Sequence, residues 1–114
     1  MEDCVFCKIV EGKIPSNKVY EDEKAMAFRD LNPQAPEHIL VTPKQHVANL
    51  LEARQMDDAI LAHLLRVAAD VAQKLGLDKT GFRIVSNCGD DACQSVQHLH
   101  IHVLGGEKLS EKMA

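Results

Sequence analysis

Three histidines alternate with aliphatic residues near the C-terminal end of the chain, at His98, His100 and His102. Side chains alternate between the two faces of a β-strand, so a strand here would place all three imidazoles on one face. A neutral imidazole keeps one lone pair for use as a nucleophile, a base or a metal ligand. This spacing predicts a site for catalysis or binding. The alternative is a purely structural role, in which the imidazoles are buried and hydrogen-bonded on a sheet face.

The segment that precedes these histidines is rich in small and polar residues and leads to Ser95. Such a loop offers a hydroxyl and several backbone N–H groups, which are the groups that hold a phosphate-like anion. Because the loop runs directly into the histidines, we expect such an anion to lie where an imidazole can attack it.

Two cysteines, Cys4 and Cys7, form a second candidate site. A C-x-x-C pair commonly supplies two of the four thiolate or imidazole ligands of tetrahedral zinc. The alternatives are a buried pair of free thiols and a four-cysteine site that adds Cys88 and Cys93. Since we expect a reducing compartment, the cysteines are predicted to be thiols or metal ligands rather than disulfides.

Length and charge limit the classes of function. A chain of 114 residues has the size of one domain, with an expected core at 4–106 and a charged tail at 107–114. The net charge of −4 and the lack of a Lys/Arg-rich run argue against binding to long nucleic acid. No apolar run has membrane-spanning length and the first residues lack a signal-peptide pattern, so we expect a cytoplasmic protein with no membrane partner.

Hydrophobic periodicity predicts an α+β fold with an antiparallel sheet. Two helices are expected, a short one at 4–11 and a long one at 56–75 with Gly76 as its left-handed cap. Strand 25–30 is expected to be half-buried, because its apolar residues alternate. The five predicted strands are 18–21, 25–30, 38–42, 82–86 and 97–104.

These residues also resemble a known family. The stretches 27–41 and 94–104, together with Asn87, are similar to those of the histidine triad (HIT) superfamily, and within it to the Hint branch. The resemblance covers about residues 4–106. It implies a single HIT-like domain, a homodimer whose two sheets join into one, and a purine nucleoside monophosphate bound to each protomer.

The resemblance implies catalytic roles as well. His100 would attack the α-phosphorus through Nε2 while a backbone carbonyl holds its Nδ1 proton, and water would then hydrolyse the covalent nucleotidyl-histidine. His102 would contact phosphoryl oxygens, His38 would lie beside the nucleophile, and Ser95 would donate to the leaving group or phosphate. No catalytic metal is required in this scheme.

The remaining family positions imply a nucleotide pocket. Asn87 and the backbone after Cys93 would orient the phosphoryl group, and Asp30 would accept hydrogen bonds from the ribose hydroxyls. The base would be enclosed by apolar side chains at Val5, Phe6, Ile9, Phe28 and Leu31. From the residues alone, ordinary core packing of these apolar side chains and a loop cap at Asp30 are the alternatives.

The resemblance also completes the cysteine site. His46 and His98 stand at the positions of the two histidine ligands in zinc-binding relatives. A structural zinc ion held by Cys4, Cys7, His46 and His98 is therefore implied.

The chain departs from the family just before Ser95. Ala92 and Cys93 occupy positions where glycines are typical. A left-handed backbone costs more when the residue has a side chain, so we expect either a differently shaped loop or a Cys93 that modulates activity through oxidation.

The leading hypothesis is a purine nucleoside phosphoramidate hydrolase, which cleaves P–N bonds in adenosine or guanosine 5′-monophosphate amides. A dinucleoside polyphosphate hydrolase would use the same nucleophile on a P–O–P bond. A nucleotide-binding sensor or scaffold protein with vestigial catalysis is the alternative from a different class. Turnover of an adenosine phosphoramidate, compared with that of diadenosine polyphosphates, separates the three.

Overall fold

An antiparallel sheet of five strands forms the centre of the structure. The computed structural model describes residues 3–112, and its strands lie in the order β1-β2-β3-β5-β4. The strands are β1 Lys18–Glu21, β2 Ala25–Arg29, β3 Glu37–Pro43, β4 Phe82–Val85 and β5 Ile101–Gly105. The helices are α1 Val5–Val10 and α2 Asp58–Lys74, and two short 3-10 helices, Glu52–Gln55 and Asp90–Ala92, lie in segments predicted as loops. The predicted α+β class is confirmed.

The long helix α2 packs on one face of the sheet. Asp57 caps its N-terminus by accepting a hydrogen bond from the N–H of Ala59, and Gly76 follows it with the predicted left-handed backbone. Apolar side chains at helical spacing, such as Leu64 and Val67, are buried against the sheet. Neither helix within residues 3–112 has the apolar length that a membrane span needs.

Strand β2 is buried on both faces, so the prediction of a half-buried strand is wrong. Ala25 and Ala27 belong to the core beneath α2. Met26 and Phe28 point the other way and pack with Phe6 of α1 in a second apolar cluster. The short helix therefore covers the β2 end of the sheet face opposite α2.

The last strand is shorter than predicted. β5 begins at Ile101 rather than at 97, so His102 is the one member of the histidine run that lies within it. The neighbouring β3 ends at Pro43, which has no N–H to donate, and the N–H of Leu99 bonds to a loop carbonyl instead. The ladder therefore stops at Ile101. The other element ends lie within about two residues of the predicted ones.

The C-terminal tail lies over the β4 end of the sheet face opposite α2. Nη2 of Arg83 donates to the carbonyl of Ser110 at 2.8 Å, and Leu109 is partly buried. The tail predicted over 107–114 thus contacts the sheet, while its residues 113–114 lie outside the described part of the chain.

Candidate active site and metal centre

A cavity of about 290 Å³ lies between α1 and the sheet, on the face opposite α2. Its polar lining includes Asp30, Ser95, His100 and His102. Its apolar lining includes all the side chains predicted to enclose a base, which are Val5, Phe6, Ile9, Phe28 and Leu31. The fold therefore brings these predicted residues together around one space of ligand size.

The cavity has further lining residues that the sequence analysis misses. They are Ile14, Pro15, Ser16, Arg29, Leu40 and Val96. Leu40 alternates with His38 along β3, so the strand pattern could have identified it. The connector 14–16 has no such pattern, and it reaches the cavity only because of where α1 lies.

Aromatic rings wall one side of the cavity. Phe6 and Phe28 are buried and meet edge to face, with ring centroids 5.4 Å apart. Leu31 lies at the mouth with 95% of its surface exposed, so it has no role in core packing. The two phenylalanines thus pack in an apolar cluster and line the cavity at the same time. Flat aromatic walls suit the face of a heteroaromatic base.

His100 presents a free ring nitrogen to the cavity. Its Nδ1 donates a hydrogen bond to the carbonyl oxygen of His98 at 2.7 Å, and this fixes the proton on Nδ1 because a carbonyl can only accept. The lone pair of Nε2 therefore stays free. Burial lowers the pKa of His100, so the imidazole is neutral at pH 7. A neutral imidazole with a free lone pair is a competent nucleophile.

A chain of hydrogen bonds sets the protonation of two other histidines. The backbone N–H of Gln34 donates to Nδ1 of His38 at 3.0 Å, so the proton of His38 lies on Nε2. That N–H donates to Nδ1 of His102 at 2.8 Å, which leaves the proton of His102 on its own Nε2. Burial lowers the pKa of His38, and burial with the nearby imidazoles of His100 and His38 lowers the pKa of His102 to about 4. His102 thus offers a donor beside the lone pair of His100.

Asp30 connects a loop to these histidines. Its Oδ1 accepts from the N–H of Asn32 at 2.8 Å, so Asp30 does cap the loop, while Oδ2 lies 3.5 Å from Nε2 of His38. Oδ2 can still accept from a ligand hydroxyl, because a carboxylate oxygen has two lone pairs. Asp30, His38 and His102 also lie close enough together to share a metal ion. However, Nε2 of His38 already carries the proton that the Gln34 hydrogen bond places there, so it has no lone pair for a metal.

Three of the residues predicted for catalysis or nucleotide binding lie outside this cavity. His38 and Asn87 line a neighbouring cavity of about 320 Å³, which shares His102 with the first. Cys93 is exposed and lines neither cavity. The first backbone N–H after it, that of Gln94, donates to the carbonyl of Gly89, so this N–H is not free to bond to a phosphate.

In the loop before Ser95, Cys93 has a left-handed backbone conformation, with φ 60° and ψ 39°. Within residues 3–112 it is the one non-glycine residue with a positive φ. Such a conformation costs about 1–2 kcal/mol. Buried Gln94 holds this loop in position through two hydrogen bonds. Its Oε1 accepts from the N–H of Gly89, and its Nε2 donates to the carbonyl of Ala48. The chain therefore adopts the left-handed conformation at Cys93 although this residue has a side chain. Gln94 is a positioning residue that the sequence analysis misses.

The predicted zinc ligands converge at the N-terminal end of α1. Sγ of Cys7 lies 3.2 Å from Nδ1 of His46, and Sγ of Cys4 lies 3.3 Å from Nδ1 of His98. The two Nδ1 atoms are 3.1 Å apart, and all four ligand atoms lie within 4.8 Å of one another. In a zinc tetrahedron with bonds of about 2.0–2.3 Å, neighbouring ligand atoms lie about 3.3–3.8 Å apart. The four side chains therefore fit zinc.

The surroundings of His98 prepare it as a ligand. Its Nε2–H donates to the carbonyl of Pro43 at 2.9 Å, which leaves the Nδ1 lone pair facing the sulfurs. Burial raises the pKa of the Cys7 thiol to about 11, so metal binding must release its proton at neutral pH. Among residues 3–112, Cys88 and Cys93 are not part of this cluster, so the four-cysteine alternative has no support.

Known proteins resemble the chain over most of its length. The family model of the HIT domain matches residues 11–109. A 14 kDa zinc-binding protein of Zea mays is 49% identical over 108 residues, which cover 93% of this chain and 84% of that protein. A HIT family hydrolase from Legionella pneumophila matches with a TM-score of 0.93 at 42% identity, covering 96% of this chain and 98% of that one. A histidine triad nucleotide-binding protein from Candida albicans matches with a TM-score of 0.82 at 33% identity, covering 98% and 87%. These structures confirm the predicted fold.

Proposed function

Because the chain belongs to the HIT domain family, we propose that it is a purine nucleoside phosphoramidate hydrolase with His100 as its nucleophile. The relative from Legionella pneumophila is named a hydrolase and the one from Candida albicans a nucleotide-binding protein, which supports a nucleotide hydrolase. The observation that carries the proposal is the neutral imidazole of His100. Its Nδ1 proton is held by a backbone carbonyl, and its Nε2 is free beside a cavity with an aromatic wall.

The nucleotide binds with its base against Phe6 and Phe28 and its phosphate beside the histidines. Oδ2 of Asp30 accepts from the ribose hydroxyls. The Nε2–H of His102 donates to a phosphoryl oxygen, and Asn87 approaches the same phosphate from the neighbouring cavity. The base is further enclosed by Val5, Ile9 and Leu31.

The reaction proceeds in two displacements at phosphorus. Nε2 of His100 attacks, the bond from phosphorus to the amine nitrogen breaks, and that nitrogen takes the electron pair and a proton from solvent through the hydroxyl of Ser95. Water then attacks the nucleotidyl-histidine and releases one proton to solvent, the phosphorus–Nε2 bond breaks, and its electron pair returns to Nε2 of His100. The products are a nucleoside monophosphate and an amine.

Zinc has a structural role in this proposal. When bound, the ion cross-links α1, the loop after β3 and the segment that precedes β5, since its ligands come from all three. None of Cys4, Cys7, His46 and His98 lines the cavity. They therefore position the histidine segment and take no part in the displacements.

A comparison of substrates tests the proposed function. We expect kcat/KM for an adenosine phosphoramidate to exceed that for diadenosine tri- and tetraphosphate by at least about 100-fold. An amine leaves without negative charge, whereas a polyphosphate leaves with several charges next to a protein of net charge −4. Faster turnover of the polyphosphates would favour the alternative hydrolase. Micromolar binding of adenosine monophosphate without turnover of any substrate would favour a sensor.

We further propose that an apolar strip beside β4 pairs with a second copy of the chain. Leu50, Leu65 and Ile84 line one groove and are 54%, 52% and 44% exposed. β4 is an edge strand, so pairing there would join two sheets. We expect light scattering to show a dimer and Ile84→Asp to yield a monomer, while Leu31→Asp, on the opposite face, stays dimeric. A monomeric wild-type protein at micromolar concentration contradicts the proposal.

A further inference from the structure

The metal centre and the nucleotide cavity share the short helix α1. Phe6 stands between Cys4 and Cys7 in the sequence, and it lines the cavity. The ring of Phe6 also meets the imidazoles of His98 and His100 edge to face, with centroids 5.9 Å and 5.0 Å apart. The two cysteines therefore flank a ring that packs against the proposed nucleophile.

His98 is a second connection between the two sites. Its Nδ1 lies 3.3 Å from Sγ of Cys4 and 3.5 Å from Sγ of Cys7. Its backbone carbonyl accepts the Nδ1–H of His100 at 2.7 Å, and this hydrogen bond leaves Nε2 of His100 free. One residue thus offers its ring to the metal and its backbone to the nucleophile.

The two cysteines lie close enough together to form a disulfide. Sγ of Cys4 accepts a hydrogen bond from the N–H of Cys7 at 3.3 Å, and the two sulfurs lie within 4.8 Å of each other. Residues three apart in one helical turn have Cα atoms about 5–6 Å apart, which is within the range of disulfides. The backbone therefore permits the bond, and rotation of the side chains closes the gap between the sulfurs.

Cys4 is the sulfur that an oxidant reaches first. It is half-buried, whereas the surface of Cys7 is 8% exposed. Zinc binding requires both sulfurs as thiolates, which is also the form that reacts with peroxides. The sulfurs of a disulfide carry no negative charge, so oxidation would leave only the imidazoles of His46 and His98 as zinc ligands.

We propose that Cys4 and Cys7 are an oxidation switch that acts on the site around His100. The thiolate of Cys4 attacks one oxygen of hydrogen peroxide, the O–O bond breaks, and hydroxide leaves. The thiolate of Cys7 then attacks the sulfur of this sulfenic acid, the S–S bond forms, and a second hydroxide leaves. The sulfurs lose two electrons in total, and the peroxide gains them.

Oxidation thereby releases zinc and removes the cross-link that holds Phe6 and His98 in place beside His100. The effect on turnover rests on the proposed function. The disulfide and the release of zinc do not depend on it, since they involve only the metal centre.

Hydrogen peroxide added to the zinc-loaded protein tests the switch. We expect a disulfide between Cys4 and Cys7 in the peptide map and one zinc ion released per chain, measured with a zinc-binding dye. The melting temperature should fall to that of the stripped protein. We expect kcat/KM for an adenosine phosphoramidate to fall about 10-fold, because small displacements of a reacting group are costly. A thiol reductant followed by zinc should restore both values.

Two variants provide the controls. Cys93 is exposed and, among the described residues, lies outside the metal cluster, so Cys93→Ser should release zinc as the wild-type protein does. Cys4→Ser removes one sulfur and keeps a side chain that caps a helix well. Without peroxide it should have the low melting temperature of the oxidised wild-type protein, and peroxide should not lower this temperature further.

The measurements separate the levels of the proposal. Oxidation confined to Cys88 or Cys93, with zinc retained, overturns the switch. A Cys4→Ser variant that responds to peroxide as the wild-type protein does also overturns it. Release of zinc with unchanged kcat/KM overturns the connection to His100 alone. An unoxidised protein that turns over no substrate overturns the proposed function, while a disulfide formed with release of zinc in that protein still supports the switch at the metal centre.

Discussion

His100→Ala is expected to bind adenosine monophosphate with nearly unchanged affinity and to lose at least about 10³-fold in kcat on an adenosine phosphoramidate. No neighbouring imidazole can replace the nucleophile. Nε2 of His102 carries a proton, and the free lone pair of His98 faces the two cysteine sulfurs. Steady-state kinetics and calorimetric titration with adenosine monophosphate measure the two effects separately.

His63→Ala is the matched control for this variant. His63 lies on α2, outside both cavities, where its Nε2 contacts Asp22 at 2.5 Å. We expect this variant to keep wild-type kcat, since the same substitution removes an imidazole that touches no substrate. Full activity in His100→Ala would contradict the assignment of the nucleophile.

Removal of the zinc ion is expected to lower the melting temperature by roughly 15 °C. A ligand present at about 1,000 times its Kd contributes about 4 kcal/mol, and a domain of this length loses about 4 °C for each kcal/mol. We expect this loss because the four proposed ligands come from three separate parts of the chain, which a bound ion would join. Thermal unfolding with and without a chelator, together with metal analysis, provides the measurement.

His46→Ala reproduces this effect without a chelator. His46 is partly exposed, so its replacement removes a ligand while changing little of the core packing. We expect the variant to have the low melting temperature of the stripped protein and to show no further response to chelator. A stripped wild-type protein that melts at the same temperature as the loaded one would show that zinc has no structural role.

Local patterns in the sequence predict most of the secondary structure. The helical spacing of Leu64 and Val67, bounded by Asp57 and Gly76, gives α2 nearly to its ends. Short runs of apolar residues, some of them alternating, likewise identify all five strands. Each of these helices and strands depends on residues close together in the chain, so the spacing of apolar residues along the sequence reveals it directly.

Contacts between distant segments explain where the sequence fails. The start of β5 at Ile101 follows from the missing donor at Pro43, which lies far away in the sequence. The burial of Ala25 and Ala27 depends on where α2 packs, and nothing within β2 records that position. Both errors therefore come from tertiary pairing.

The division of roles among the histidines shows the same limit. The alternation of His98, His100 and His102 identifies a site from the sequence alone. The different roles proposed for them depend on which ring nitrogen is protonated, and this is set by the N–H of Gln34 and the carbonyls of Pro43 and His98. Every residue has a backbone carbonyl, and every residue except proline has an N–H, so no side-chain pattern reveals which of these groups will bond to a ring.

Mass spectrometry of the reacting protein tests the nucleophile most directly. Wild-type protein is mixed with an adenosine phosphoramidate, and the reaction is quenched within one turnover. The quench is an alkaline denaturant, because phosphorus–histidine bonds are acid-labile. The protein is then digested for tandem mass spectrometry. We predict one adenylyl group on His100, formed in the first turnover and lacking from His100→Ala. An adenylyl group on His38 or His102, or product formed without any protein adduct during the first turnover, would contradict the mechanism.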